Sequence, residues 1–182
     1  MKSFQEMLKE LKVTTTSPDG QIKSRLIGGK ELSIAFRPGS YEKYRESVLQ
    51  DQFAGLARLT WVGYRRGYMK ALNLSRGLAE DELERPHWDV KYRRYHEDVA
   101  VVVAQGESPS GAVRARSKGL ASWKIKIEPG TIDSMSEETF ISEALAAFGE
   151  LRRDNDQKIV LLKDEHFGLN IPSFLREKYQ TR

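Results

Sequence analysis

The sequence predicts an α+β fold: two tandem helix–three-stranded antiparallel meander–helix units forming an intrachain pseudo-dimer. Three observations lead there. Ser17–Gly39 (SPDGQIKSRLIGGKELSIAFRPG) aligns without a gap to Ser108–Gly130 (SPSGAVRARSKGLASWKIKIEPG), an offset of 91. Inside both copies apolar and polar residues alternate between Gly and Pro turns, the period-two pattern of half-buried strands. Around them apolar residues recur at i, i+3, i+4, i+7, the pattern of an amphipathic helix.

The two copies agree in kind as well as in letter. Ser17, Pro18, Gly20, Arg25, Gly28, Ile34, Pro38 and Gly39 recur as Ser108, Pro109, Gly111, Arg116, Gly119, Ile125, Pro129 and Gly130. Ile22 and Lys23 become Val113 and Arg114. Self-similarity at a fixed offset is read as duplication of one structural unit.

In the first copy, Phe4, Met7, Leu8 and Leu11 share one face of a helix over Ser3–Leu11. Val13–Thr16 is β-branched and predicts a strand. Ser17-Pro-Asp-Gly20 is a turn in which Pro presets φ and Gly accepts a positive one. Gln21–Ile27 alternates, with Ile22, Ser24 and Leu26 inward and Lys23 and Arg25 outward. Gly28-Gly29 is a tight hairpin turn. Glu31–Arg37 alternates again with Leu32, Ile34 and Phe36 inward. Pro38-Gly39 stops the strand, and Ser40 is the expected N-cap of a long helix. The second copy follows the same plan. A helix is expected over His87–Val99, with Tyr92, Tyr95 and Val99 in phase, and a strand over Ala100–Gln105. Then come the turn Ser108–Gly111, inward Val113 and Ala115, inward Trp123, Ile125 and Ile127, and outward Lys124 and Lys126. Ser134-Met-Ser-Glu137 fits a capping box. The following helix carries the stripe Phe140, Ile141, Ala144, Leu145, Phe148, Leu151. Asp156–Arg182 extends beyond the repeat, with Gly168 and Pro172 as breakers and a short helix from Ser173. The expected hinge is Asn73–Arg85, which divides the chain into units 1–79 and 80–182. One three-stranded unit has a small core and an open sheet edge. Tethering two raises the concentration of one half around the other to roughly the millimolar range.

Composition narrows the function classes. No apolar run approaches the roughly 20 residues of a membrane-spanning helix. The opening MKSFQEMLKELKV carries acids and no long apolar stretch, unlike a secretory signal. The chain contains no cysteine, which removes disulfides, thiolate metal sites and thiol nucleophiles and fits a cytoplasmic location. Residues 1–91 hold 16 Lys/Arg against 12 Asp/Glu, and residues 92–182 hold 14 against 14, so the net +4 lies in the first half. Among His87, His96 and His166 no pair has metal-ligand spacing. His96-Glu97-Asp98 diverge on a helix. Gly28-Gly29 lies in a hairpin and does not open a helix, so it is not a phosphate loop. Ser17 and Ser108 precede Pro in turns. No catalytic residue, metal site or cofactor is predicted.

Gly20–Pro38 and Gly111–Pro129 carry the text of a strand, a Gly-containing turn, a second strand and a terminal charged residue followed by Pro before a long helix. In this the chain resembles the YbaB/EbfC family of small bacterial nucleoid-associated proteins. Ile127-Glu128-Pro129 matches the family's strand end, whereas Phe36-Arg37-Pro38 reverses its charge. Family members are single units that pair as dimers, so the resemblance implies a fused pair with sequence-tolerant binding of double-stranded DNA. A related branch in type VII secretion gene clusters shares the Ser134–Glu137 text. It implies an accessory or chaperone-like module that holds a helical protein client.

The candidate binding residues follow. Gln52–Ala79 contains no acid and carries Arg58, Arg65, Arg66, Lys70 and Arg76. Outward strand positions add Lys23, Arg25, Arg114 and Arg116. Such cations reach phosphates without reading bases. Trp61, Tyr64, Tyr68 and Leu72 share a helical face and are expected to pack against the other copy. Trp61-Val62-Gly63 repeats the W-x-G text of type VII substrates, but no Y-x-x-x-[DE] signal follows. DNA and a protein client both remain open as partners, for a monomeric pseudo-dimer or a homo-oligomer.

Overall fold

The computed structural model describes residues 2–77 and 89–180. Helix α1 (Phe4–Glu10) leads into the meander β1 (Lys12–Thr16), β2 (Ile22–Ile27), β3 (Glu31–Phe36) and then the long helix α2 (Glu46–Arg76). The order recurs as α3 (Val90–Val101), β4 (Val103–Glu107), β5 (Val113–Lys118), β6 (Ser122–Ile127), the short α4 (Thr131–Ser134) and the long α5 (Glu137–Phe167), followed by α6 (Ser173–Gln180). The strands form two separate antiparallel sheets, β1-β2-β3 and β4-β5-β6. The fold is α+β.

The offset of 91 seen in Ser17–Gly39 reaches much further in the backbone. Helices α2 and α5 both have 31 residues, and both end on a left-handed glycine, Gly77 and Gly168. Each turn after the first strand closes alike: Ile22 N–H donates to Ser17 Oγ at 2.9 Å, and Val113 N–H to Ser108 Oγ at 3.0 Å. Each turn is also tied to its long helix, Asp19 N–H to Gln52 Oε1 at 2.9 Å and Ser110 N–H to Glu143 Oε2 at 3.1 Å. The bonds from Ser108 and Ser110 hold the Glu143 carboxyl below its ordinary pKa.

Period-two burial follows the sequence pattern. Ile22, Ser24, Ile34, Phe36, Val113, Ala115, Ile125 and Ile127 are buried, while Lys23, Arg25, Arg114, Arg116, Lys124 and Lys126 are exposed. One continuous apolar cluster joins both sheets and both long helices. At its centre Phe140 is fully buried, with ring centroids 5.4 Å from Tyr41, 5.6 Å from Phe53 and 6.2 Å from Phe36. Helix α2 packs on β1 and β2 and also on β6, and α5 packs on β4 and β5 and also on β3. Each long helix therefore covers its own sheet and the last strand of the other.

Close approach of helix to first strand is achieved differently in the two halves. In the first half the glycines are on the helix: a Cβ at Gly63 would stand 2.6 Å from Val13 Cγ1, and one at Gly55 2.6 Å from Pro18 Cγ. In the second half the glycine is on the strand: a Cβ at Gly106 would overlap Ala147 O and Leu151 N.

Several sequence expectations are corrected. Ser40 does not cap the long helix; it precedes a 3-10 turn, Tyr41–Lys43, and α2 starts after Arg45. The reason is Tyr41, buried in the core, with burial raising its phenol pKa to about 12 and its hydroxyl donating to Met135 O at 3.1 Å. Ser134 likewise ends the short α4, bonding Gly130 O at 2.7 Å, and Ser136 caps α5 by accepting from Thr139 N–H. The expected strand Ala100–Gln105 starts at Val103 instead, because α3 runs through Val101. Asp156–Phe167 is not an extension beyond the repeat but the second half of α5. Asn73–Arg76 belongs to α2, so it is not hinge. The remainder of the expected hinge beyond Gly77, the 79/80 boundary and His87 lie outside the described residues. Tyr68 does not face the other half; its ring meets Phe4 of α1 edge-on at 5.4 Å.

Truncating Phe140 to Ala should cost about 3–5 kcal/mol, as for other buried aromatics. Because its neighbours come from both halves, calorimetry should show one destabilised transition; a variant that melts one half while the other keeps its transition temperature would contradict the shared core. Gly106→Ala should cost about 3 kcal/mol through overpacking. Gly149→Ala, at a helical position with open space, should gain about 0.5–1 kcal/mol.

Candidate nucleic-acid interface

Helix α2 exposes all five of its predicted cations: Arg58, Arg65, Arg66, Lys70 and Arg76. At 3.6 residues per turn, positions 58, 65 and 76 return to nearly one azimuth, while 66 and 70 lie about a quarter to a third of a turn away. Arg58, Arg65 and Arg76 thus form a row along roughly 27 Å of helix, at 1.5 Å per residue. Among the described residues none of the five makes an ion pair. Nearby carboxylates are scarce because the stretch contains none.

The outer sheet faces differ. On the first sheet, Lys23 and Arg25 stand exposed opposite Ala35 and Ser33. On the second, cross-strand pairs put cation beside cation: Arg114 opposite Lys126, and Arg116 opposite Lys124. Lys118, exposed on the same face, continues the row. Arg114, Arg116, Lys124 and Lys126 line an open concavity of about 590 Å3, with Asp51 of α2 and Glu150 of α5 also in its wall. Like charges directly opposite are destabilising, and two acids offset this. Arg114 bonds Glu107 at 3.0 Å and Glu128 at 2.7 Å, and Lys126 lies 3.4 Å from Glu128. The bond to Glu107 raises the Arg114 pKa further. Arg114 is therefore occupied, while Arg116 and Lys124 have no ion-pair partner among the described residues. The net charge by halves, which pointed to the first copy alone, hid this face: the acids of the second half sit mostly on its helices. Lys118, Lys124 and Lys126 were legible from the alternation that gave Arg114 and Arg116, since all are spaced two apart on their strands.

A second feature lies between the halves. An apolar cavity of about 410 Å3 is lined by Trp61 and Tyr64 of α2, Phe148 of α5, Leu32 and Ile34 of β3 and Trp123 of β6. Trp61 and Tyr64 therefore do face the other half. Burial raises the Tyr64 pKa, with Arg152 of α5 near enough to oppose the shift. At the cavity edge Leu120 holds φ 54°, where the first copy has Gly29 at φ 66°. A left-handed leucine is a sparsely populated conformation. The Trp123 indole donates to Leu120 O at 2.7 Å and fixes it. Leucine is not a residue type that marks a left-handed turn, so its sequence carries no signal of this conformation. Ser24 and Thr60 close the floor with one hydroxyl–hydroxyl hydrogen bond of 2.7 Å.

Comparison with protein-family models, with curated proteins and with solved structures finds no match to the chain. Among the described residues no helix is long and apolar enough to cross a membrane.

Lys23, Lys124 and Lys126 make no buried contact, so their replacement by Gln should change stability by no more than about 0.5 kcal/mol. Chemical denaturation checks this; a loss above about 1 kcal/mol at either lysine of β6 would mean that the outer face is packed against something.

Proposed function

We propose that the chain is a non-catalytic, tandem pseudo-dimer of YbaB/EbfC-like units that binds double-stranded DNA weakly and without sequence preference. The observation that carries this reading is the exposed row Arg58, Arg65 and Arg76 on α2, which makes no ion pair among the described residues. Its length matches about eight base-pair steps of a duplex strand at 3.4 Å each. The cations of the second sheet, above all Arg116 and Lys124, offer a further phosphate-reaching surface. Arg and Lys on a helix flank and a sheet face contact the backbone and carry no base code, so the affinity is electrostatic and falls with salt. The matching of turns, caps and helix lengths at one offset supports the duplication. The reciprocal packing of each long helix on the other half's last strand supports the pseudo-dimer.

A second reading has its own observation, the aromatic cavity between α2 and α5. Pockets of this size lined by Trp, Tyr and Phe hold apolar groups, and an accessory module would use it to seat side chains of a helical client. Gly149→Trp fills that cavity and separates the readings: it should abolish client binding and leave DNA binding intact.

With three phosphate contacts, log affinity for duplex DNA should fall with log salt at a slope of about −3. Arg58→Glu with Arg65→Glu should reduce the slope to about −1 on every duplex sequence tested. No gel shift at low-micromolar protein in about 0.1 M salt would remove the DNA reading.

A further inference from the structure

The two sheets treat their first-strand edges in opposite ways. In β4, the residues whose backbone points away from β5 are Val103, Gln105 and Glu107. Helix α5 blocks all three: Asp154 accepts from Gln105 N–H at 2.8 Å, Glu150 accepts from Glu107 N–H at 3.4 Å, and Lys158 donates to Val103 O at 2.9 Å. The matching residues of β1 are Lys12, Thr14 and Thr16. The ladder to β2 is bracketed by Gly28 N–H to Leu11 O at 2.8 Å and Ser17 N–H to Ile22 O at 2.7 Å. Antiparallel pairing alternates, so Val13 and Thr15 bond to β2 while Lys12, Thr14 and Thr16 point outward. All three are exposed, and among the described residues no side chain bonds their backbone. At the offset of 91, α2 carries Leu59, Gly63 and Gly67 where α5 carries Glu150, Asp154 and Lys158. The blocking groups are gone. At the first of these positions Leu59 is 40% exposed, and Val62 beside it is 41% exposed.

We propose that the β1 edge receives an extended strand from a protein partner, one that alternates apolar and acidic residues. An unpaired strand edge is a template for another strand, and β-augmentation takes affinity from the main chain and specificity from alternate side chains. The donors and acceptors of Thr14 and Thr16 supply the main-chain bonds. One face of the incoming strand packs over Leu59 and Val62. The other lies beside Lys12, about 4.8 Å away across the new pair, and within reach of Arg25 and Lys23 on the neighbouring strand. Carboxylates satisfy that side. A second copy of this chain does not suit the edge, since β1–β1 pairing would bring Lys12, Lys23 and Arg25 of both copies together. The edge adjoins the α2 arginine row, since Val62 lies four residues after Arg58 and three before Arg65, but the proposal does not rest on DNA binding.

The test uses the full chain and a fluorescein-labelled peptide of alternating Val and Glu, eight residues long, with an alternating Val and Lys peptide as control. Anisotropy should show binding of the Glu peptide and at least about tenfold weaker binding of the Lys peptide. Thr14→Pro removes one outward N–H and no sheet bond, a position where edge strands accept proline. It should weaken binding about tenfold, and Leu59→Glu, which restores the residue found in the second half, should do the same. If Thr14→Pro fails to fold, Leu59→Glu carries the test. Hydrogen exchange should show the Thr14 and Thr16 amides protected by the peptide and not by duplex DNA. Equal binding of both peptides, binding unaffected by Leu59→Glu, protection of those amides by DNA, or a concentration-dependent dimer that protects them without peptide would overturn the proposal.

Discussion

The structure depends on one constraint: a three-stranded sheet is too wide to be covered by the single long helix that belongs to it. Helix α2 lies over β1 and β2 and leaves β3 to α5; helix α5 lies over β4 and β5 and leaves β6 to α2. Each half thus borrows its last layer of core from the other. The aromatic cluster sits where the borrowing meets, with Phe36 from β3, Tyr41 from the 3-10 turn, Phe53 from α2 and Phe140 from α5. A small unit buries too little apolar surface to fold well alone. Here the deficit of each is made up by the same contact, so the halves share one stability.

That sharing also explains the connections. The 3-10 turn Tyr41–Lys43 and the short α4 occupy matching places between last strand and long helix, and each buries one large apolar residue, Tyr41 or Ile132, at the meeting point. Gln50 of α2 accepts from Ile127 N–H at 2.8 Å, and Glu46 from Ile132 N–H at 3.3 Å. These bonds cross from one half to the other and fix the edge of β6 against α2. Hydrogen bonds here set register and direction, while the apolar cluster supplies most of the energy.

Much of this was legible in the sequence, for identifiable reasons. The strands were readable because their side chains alternate strictly and their turns need Gly or Pro at fixed places. Ile34, Phe36, Ile125 and Ile127 are buried as the alternation requires. The helix starts were misread because Ser40 and Ser134 are good capping residues by type. Only tertiary packing of Tyr41 and Ile132 inserts a turn after them. The length of α5 was hidden by the polar run Arg152–Gln157, which interrupts the apolar stripe; Asn155 at its centre is nevertheless buried. The cations of α2 were visible as a charge imbalance, but their arrangement into a row and two outliers requires the helix. The salt links that tie up Arg114 cannot be read from spacing, because Glu107 and Glu128 come from two other segments. The cavity and the open β1 edge were invisible, since both are differences between copies that the alignment treats as equivalent.

Those differences have no counterpart in a symmetric homodimer. Two identical chains must present identical edges and identical cavities, so a blocked edge on one is blocked on both. Two halves of one chain are free of that symmetry. In the second half the close-packing glycine is on the strand, as Gly106, and the helix carries Glu150, Asp154 and Lys158 against the β4 backbone. The first half keeps glycines on the helix, at Gly55, Gly63 and Gly67, and therefore has no side chain at those positions with which to block β1. The same choice decides the polar floor: Thr15, Ser24 and Thr60 bond one another where the second half has Gly106, Ala115 and Leu151. Whether the close-packing glycines sit on the helix or on the strand thus separates an open half from a sealed one, with the same order of elements in both.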